Sequence, residues 1–159
     1  MDIKLDTKEI KFKYRVNGVL IVNDKLLVVQ IMDNGFFCLP GGHVMLGENS
    51  KIAIKREMNE EVGVVIKDSF LFLINETMFT RKDGIKVQEL SFFYKIELNN
   101  LDNLDLSDHI KYENDEGVVK KLDFRWIPLN NLKNINFKPN IIVDKLINKD
   151  FLLEHFIDE

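Results

Sequence analysis

The stretch that most constrains the fold is PGGHVMLGENSKIAIKREMNEEVGV, residues 40–64. Three glycines, Gly41, Gly42 and Gly47, lead into a helix that the spacing places from Ser50 to Val62. Gly63 stops it in the position after the last helical residue. On a wheel of about 100° per residue, Ile54, Met58 and Val62 recur at i, i+4 and i+8 and form a stripe to be buried. Glu57, Glu60 and Glu61 share a second face, and Lys51, Lys55 and Asn59 fall on the solvent side. Ala53, one turn before Glu57, keeps the glutamate face uncluttered.

The flanking sequence supplies strands. YRVNGVLIV and LLVVQI read as two strands joined by a tight turn at Asn23-Asp24. FFCLP reads as a short strand ending at Pro40, and VVIKDSFLFLINE and KVQELSFFYKIEL as two further strands. In the last, Leu90, Phe92, Tyr94, Ile96 and Leu98 alternate onto one face while Glu89, Ser91 and Phe93 take the other. Residues 99–117 are rich in Asp and Asn and read as a mobile loop, followed by a final strand, LDFRWIPL. A C-terminal helical segment is expected over about 139–157, opening at Pro139. Strands, helix, strands, helix is the order of an α/β (α+β) chain with a mixed sheet, and 159 residues fit one domain.

Composition narrows the classes. Net charge is −4 and no Lys/Arg run exceeds two residues, which argues against a DNA- or membrane-binding surface. The polar, mixed-charge start MDIKLDTKEIK is not a signal peptide, so a cytoplasmic protein is expected. The single cysteine, Cys38, excludes an intramolecular disulfide or a multi-cysteine zinc site and reads as a small buried hydrophobe.

Three carboxylates on one helix face repel one another unless solvated or bridged by a cation. At about 4 Å and an effective dielectric near 20, one such pair costs on the order of 4 kcal/mol. Mg²⁺ suits the arrangement, since it binds one or two carboxylates, keeps waters and takes substrate phosphates. Arg56 can orient a neighbouring carboxylate through a bidentate pair.

From Gly42 to Val64 the chain also meets a full pattern: Gly, five residues, Glu, seven residues, then Arg-Glu-aliphatic-any-Glu-Glu-any-Gly-aliphatic. Gly42, Glu48, Arg56, Glu57, Met58, Glu60, Glu61, Gly63 and Val64 satisfy it without departure. This is the Nudix box, and the chain resembles a Nudix hydrolase. The resemblance implies an α/β/α sandwich around a mixed sheet. It also implies Mg²⁺- or Mn²⁺-dependent hydrolysis of a nucleoside diphosphate linked to another moiety. By position it implies Glu57 and Glu61 as principal metal ligands, Glu60 as a third, and the Gly41 carbonyl as a backbone ligand. Arg56 would orient the glutamates, while Gly42, Gly47, Glu48 and Gly63 shape the loop and helix. The base varies within the family. Glu89, on the face opposite the apolar alternation, leads the candidates outside the box as base or ligand. Glu76, Glu113 and Glu116 rank below it and read as solvated.

The substrate is not marked. Met78 and Phe79 stand where an ADP-ribose enzyme has proline, and Gln30, Ile31 and Met32 where many relatives have an arginine that meets phosphate. Arg15 and Arg81 are candidate replacements, and Phe79 a candidate base-stacking residue. Partners are expected to be small nucleotides, with the protein a monomer or homodimer. Alternatives are a nucleotide-sensing module without catalysis, or an RNA 5′-end pyrophosphohydrolase. A prenyl diphosphate isomerase is disfavoured because no histidine precedes Cys38.

Overall fold

The computed structural model describes residues 4–115 and 117–158. A six-stranded mixed sheet is built from β1 (Lys4–Asp6), β2 (Ile10–Val19), β5 (Gly41–His43), β6 (Ile66–Thr80), β7 (Lys86–Leu98) and β10 (Glu154–Asp158). Its order is β1-β2-β7-β6-β10, with β5 pairing to β2. The β2–β7 and β6–β10 pairs are parallel and the rest antiparallel. A second, antiparallel sheet has the order β3-β4-β9-β8, from β3 (Ile21–Val22), β4 (Lys25–Ile31), β9 (Val118–Pro128) and β8 (His109–Asp115). The chain crosses between sheets at Leu20, whose carbonyl accepts from Leu27.

The turn at Asn23-Asp24 is as expected: both residues have positive φ, 50° and 58°, the geometry that tightens a two-residue hairpin. The box helix is α1 (Ser50–Glu57) continued by a π turn (Met58–Val62), a widening of the regular helix read from the sequence. Asn49 caps it by accepting from the Ile52 N–H, and Gly63 ends it at φ 78°, a left-handed position. Ile54 and Met58 are fully buried against Val16, Tyr94 and Ile96, and Val62 packs at the margin. Burying each of the first two is worth about 1.5–3 kcal/mol. Lys51, Lys55 and Asn59 are exposed, as the wheel requires.

A second apolar cluster lies around Val19, Leu26, Phe72, Phe93, Ile142 and Leu146. Ile142 ends a short 3₁₀ turn and Leu146 lies in α2 (Val143–Ile147). Both faces of β7 are therefore covered: Tyr94 and Ile96 serve one cluster and Phe93 the other.

Three sequence expectations are corrected. FFCLP is not a strand; Cys38 makes an isolated bridge to Val29 and Phe37 one to Phe137. Residues 99–117 are not simply a loop, because His109–Asp115 form β8. The C-terminal helix stops at Ile147 rather than near 157, and Glu154–Asp158 add in parallel to β6 as β10, so LDFRWIPL is not the last strand. Lys145 fixes this return, its buried ammonium donating to Asp150 at 3.1 Å and to the Leu152 carbonyl at 3.3 Å. Among the described residues no helix is long and apolar enough to cross a membrane.

Candidate active site

The box helix, β5 and the β8–β9 hairpin enclose a cleft of about 430 Å³. Glu57, Glu60, Glu61 and Arg56 come from the helix side, and Gly41, Gly42 and His43 from β5. Arg15 enters from β2, and Glu113, Asn114 and Lys120 from the hairpin. The sequence thus anticipated one wall and missed another.

Arg56 organises the box. Its Nε and Nη2 grip Glu48 in a fork, at 3.2 Å to Oε2 and 2.6 Å to Oε1. Nη1 donates to Glu57 Oε1 at 2.7 Å and to Glu60 Oε2 at 3.0 Å, and Nη2 also reaches the His43 carbonyl at 3.0 Å. Glu48 accepts in addition from the Met45 N–H at 2.8 Å, so it ties loop to helix through Arg56 while Asn49 does the capping. The guanidinium beside it holds the Glu48 carboxyl below the usual range, and the Arg56 pKa is raised, chiefly by Glu48.

Glu57 and Glu61 are each only 8% exposed, whereas the Glu60 side chain is half exposed. Burial pushes the Glu57 carboxyl up despite the opposing pull of Arg56. Burial pushes Glu61 up to about 8; the hydrogen bond from the Gly41 N–H, 2.8 Å to Oε2, opposes this, and Glu57 and Glu113 add to it. Two buried carboxylates, raised by desolvation and by neighbouring glutamates (Glu60 for Glu57, Glu57 and Glu113 for Glu61), form a site that a cation would relieve. Gly42 leaves the room they need: a Cβ there would fall 2.4–2.6 Å from the Glu57 carboxylate atoms.

Among the described residues no three acidic, imidazole or thiol groups converge closely enough to enclose a metal ion by themselves. The donor set still fits a hard divalent cation, since two carboxylates with the Gly41 carbonyl alongside leave the shell to water and substrate phosphate. That carbonyl meets Arg15 Nη2 at 3.5 Å.

The other candidates divide. Arg15 lines the cleft, and its buried Nε has no hydrogen-bond partner among the described residues. Glu89 is not in the lining; it accepts from Ser91 Oγ at 2.8 Å, on the same sheet face as Arg15. Phe79 is half exposed near the end of β6, and Arg81 pairs with Asp83 at 2.8 Å in the following turn, both away from the lining. Glu76 pairs with His155 at 2.8 Å, and Glu116 lies outside the described residues. Glu113, read as solvated, instead stands in the cleft. Its strand is fastened by Lys111, which donates to the Glu60 carbonyl and, at 3.1 Å, to that of Glu61. Cys38 is largely buried, its thiol pushed up to about 11 by desolvation.

The NUDIX domain model matches residues 11–146. An ADP-ribose pyrophosphatase of Methanocaldococcus jannaschii is 30% identical over 133 residues, 70% of this chain and 72% of the relative. An uncharacterized Nudix hydrolase of Bacillus subtilis, YvcI, is 27% identical over 77% of this chain and 70% of its own length. In fold, the chain is similar to the MutT protein of Bacillus halodurans, with TM-score 0.68 and 17% identity over 90% of this chain and 86% of that one. Enzymes of this kind cleave pyrophosphate bonds and generally use divalent cations. The match across most of the chain and the gathering of the box glutamates in one cleft agree: the chain belongs to the Nudix family and is a pyrophosphohydrolase.

Proposed function

We propose that the protein hydrolyses the pyrophosphate bond of a nucleoside diphosphate linked to another moiety, with Mg²⁺ or Mn²⁺ held by Glu57 and Glu61. The observation that carries this is the pair of buried carboxylates, held up by desolvation, facing a cleft that also contains Arg15 and Lys120. A bound cation would neutralise phosphate oxygens and make water more acidic. The protein's own part is to hold the reactants. Arg56 fixes the glutamates, and Arg15, with an unpartnered buried Nε, offers a donor to phosphate. Glu113 is the acid outside the box best placed to accept a proton in the cleft, ahead of Glu89, which lies outside its lining. The name of the archaeal relative makes ADP-ribose a natural member of the substrate panel, although Met78 and Phe79 occupy the place of the proline marker.

The test is product release from nucleoside triphosphates, ADP-ribose, nucleotide sugars, dinucleoside polyphosphates and capped RNA, with and without Mg²⁺ or Mn²⁺. Metal-dependent cleavage of one class is expected. Glu113→Gln should lower kcat at least tenfold and more than Glu89→Gln does; the reverse order would return the base to β7. Ligand-induced stabilisation without cleavage of any compound would instead indicate a sensor.

A further inference from the structure

The pairing of β2 with β7 runs without interruption from Ile10 to Val19, so Lys11, Lys13 and Arg15 share one face of the sheet. Arg15 reaches the cleft from that face. Lys13, the next residue along it, lies just beyond the cleft lining and is half-buried, and among the described residues no carboxylate forms an ion pair with its ammonium. Glu89, directly across from Lys13 on β7, is held instead by Ser91 Oγ at 2.8 Å. The Lys13 ammonium is kept below the usual lysine range by burial; Glu89 opposes this, and Arg15, Arg81 and Lys11 add to it. Two adjacent cations, one with an unpartnered buried donor and one desolvated without an ion pair, form a local positive site in a protein of net charge −4.

We infer that Lys13 and Arg15 form an anion subsite continuing the cleft along β2, favouring substrates with a further phosphate beyond the scissile pyrophosphate over those ending in an uncharged sugar. The class is a nucleoside triphosphate or longer polyphosphate. This rests on the proposed pyrophosphohydrolysis, which places the scissile group beside Glu57 and Glu61. The cation on Lys13 then meets charge that only the longer substrate carries, with Arg15 shared between the two positions.

The test uses Lys13→Gln and Lys13→Arg in the full chain. Calorimetric binding of inorganic tripolyphosphate and pyrophosphate at low ionic strength, with Ca²⁺ supplied so that the scissile pair can sit beside Glu57 and Glu61, reads the subsite by affinity rather than by turnover. Lys13→Gln should weaken tripolyphosphate about tenfold, the effect of one charge-assisted hydrogen bond, and pyrophosphate less than twofold. Lys13→Arg should recover most of the loss. The same split is expected in kcat/KM for a nucleoside triphosphate against ADP-ribose. Because Lys13→Gln removes a half-buried like charge, folding should persist, which thermal unfolding checks. Equal weakening of both phosphates, or no weakening of either, would overturn the subsite. A wild-type protein that cleaves no substrate would overturn the hydrolase reading, while the binding split would still decide the subsite.

Discussion

Replacing Glu61 by glutamine should make the metal-free protein more stable at alkaline pH while removing its activity. In the folded protein the Glu61 carboxyl is pushed up to about 8, against an ordinary 4.5. Between those values the unfolded chain has released a proton that the folded chain retains. The unfolded state then binds fewer protons, so unfolding free energy falls as pH rises, by about 1.4 kcal/mol per pH unit. Over the whole window the loss approaches about 5 kcal/mol, a ceiling that water entry and relaxation around the carboxylate reduce. Glu57, raised in the same direction, adds a loss of the same sign. Glutamine keeps an acceptor for the Gly41 N–H but carries no charge to desolvate. In chelator at pH 8 Glu61→Gln should therefore exceed wild type by a few kcal/mol, or about 5–12 °C in Tm for a chain of this length. At pH 5 the two should agree to within about 1 kcal/mol. Thermal and urea unfolding at both pH values measures this. Adding Mg²⁺ or Mn²⁺ at pH 8 should raise the Tm of wild type and leave the variant nearly unmoved. A variant no more stable than wild type at pH 8, or a gap that does not change with pH, would show that the carboxylate is not held at a cost.

Two other substitutions probe how the site is held in place. Gly42→Ala puts a methyl group 2.4–2.6 Å from the Glu57 carboxylate atoms, so the carboxylate must shift. The fold should survive with a loss of about 1–3 kcal/mol, while kcat/KM falls at least tenfold; unchanged kinetics would mean Glu57 has slack. Lys111→Met removes the donor to the Glu60 and Glu61 carbonyls and releases the strand carrying Glu113. Measured in a cycle with Glu113→Gln, its effect on kcat/KM should be largely lost in the second background, with a coupling of about 1 kcal/mol. Full additivity would make Lys111 a stability residue only.

What could be read without coordinates was what is written locally. The Ile54–Met58 stripe, the stop at Gly63, the Asn23-Asp24 hairpin and the grouping of the box glutamates each depend on residues a few positions apart. The long-range elements escaped. The inward side chains of β8, His109, Lys111 and Glu113, are polar because they meet Phe124, the box carbonyls and the cleft, so the segment lacks the apolar alternation of a strand. The tail FLLEHFI resembles a helix by composition and becomes a strand only because β6 offers an edge, with Glu154 opposite Leu73. Glu113 ranked low and Lys120 went unnamed for the same reason: the β8–β9 pairing, Glu113 opposite Lys120, carries them to the cleft. Phe79 and Arg81, chosen for their chemistry alone, lie outside the cleft lining.

The π turn at Met58–Val62 has a consequence for how this chain can change. A π turn amounts to one residue more than a regular helix needs, and a residue in a helix advances it by about 100°. Deleting one residue there would restore ordinary α-helical hydrogen bonding and, by local criteria, improve the helix. It would also rotate Glu61 away from the Gly41 N–H and the Glu60 and Glu61 carbonyls away from Lys111. The segment is thus protected from shortening by geometry rather than by residue identity: Asn59 is exposed and its side chain makes no demand on the site, but the number of residues in the turn is fixed.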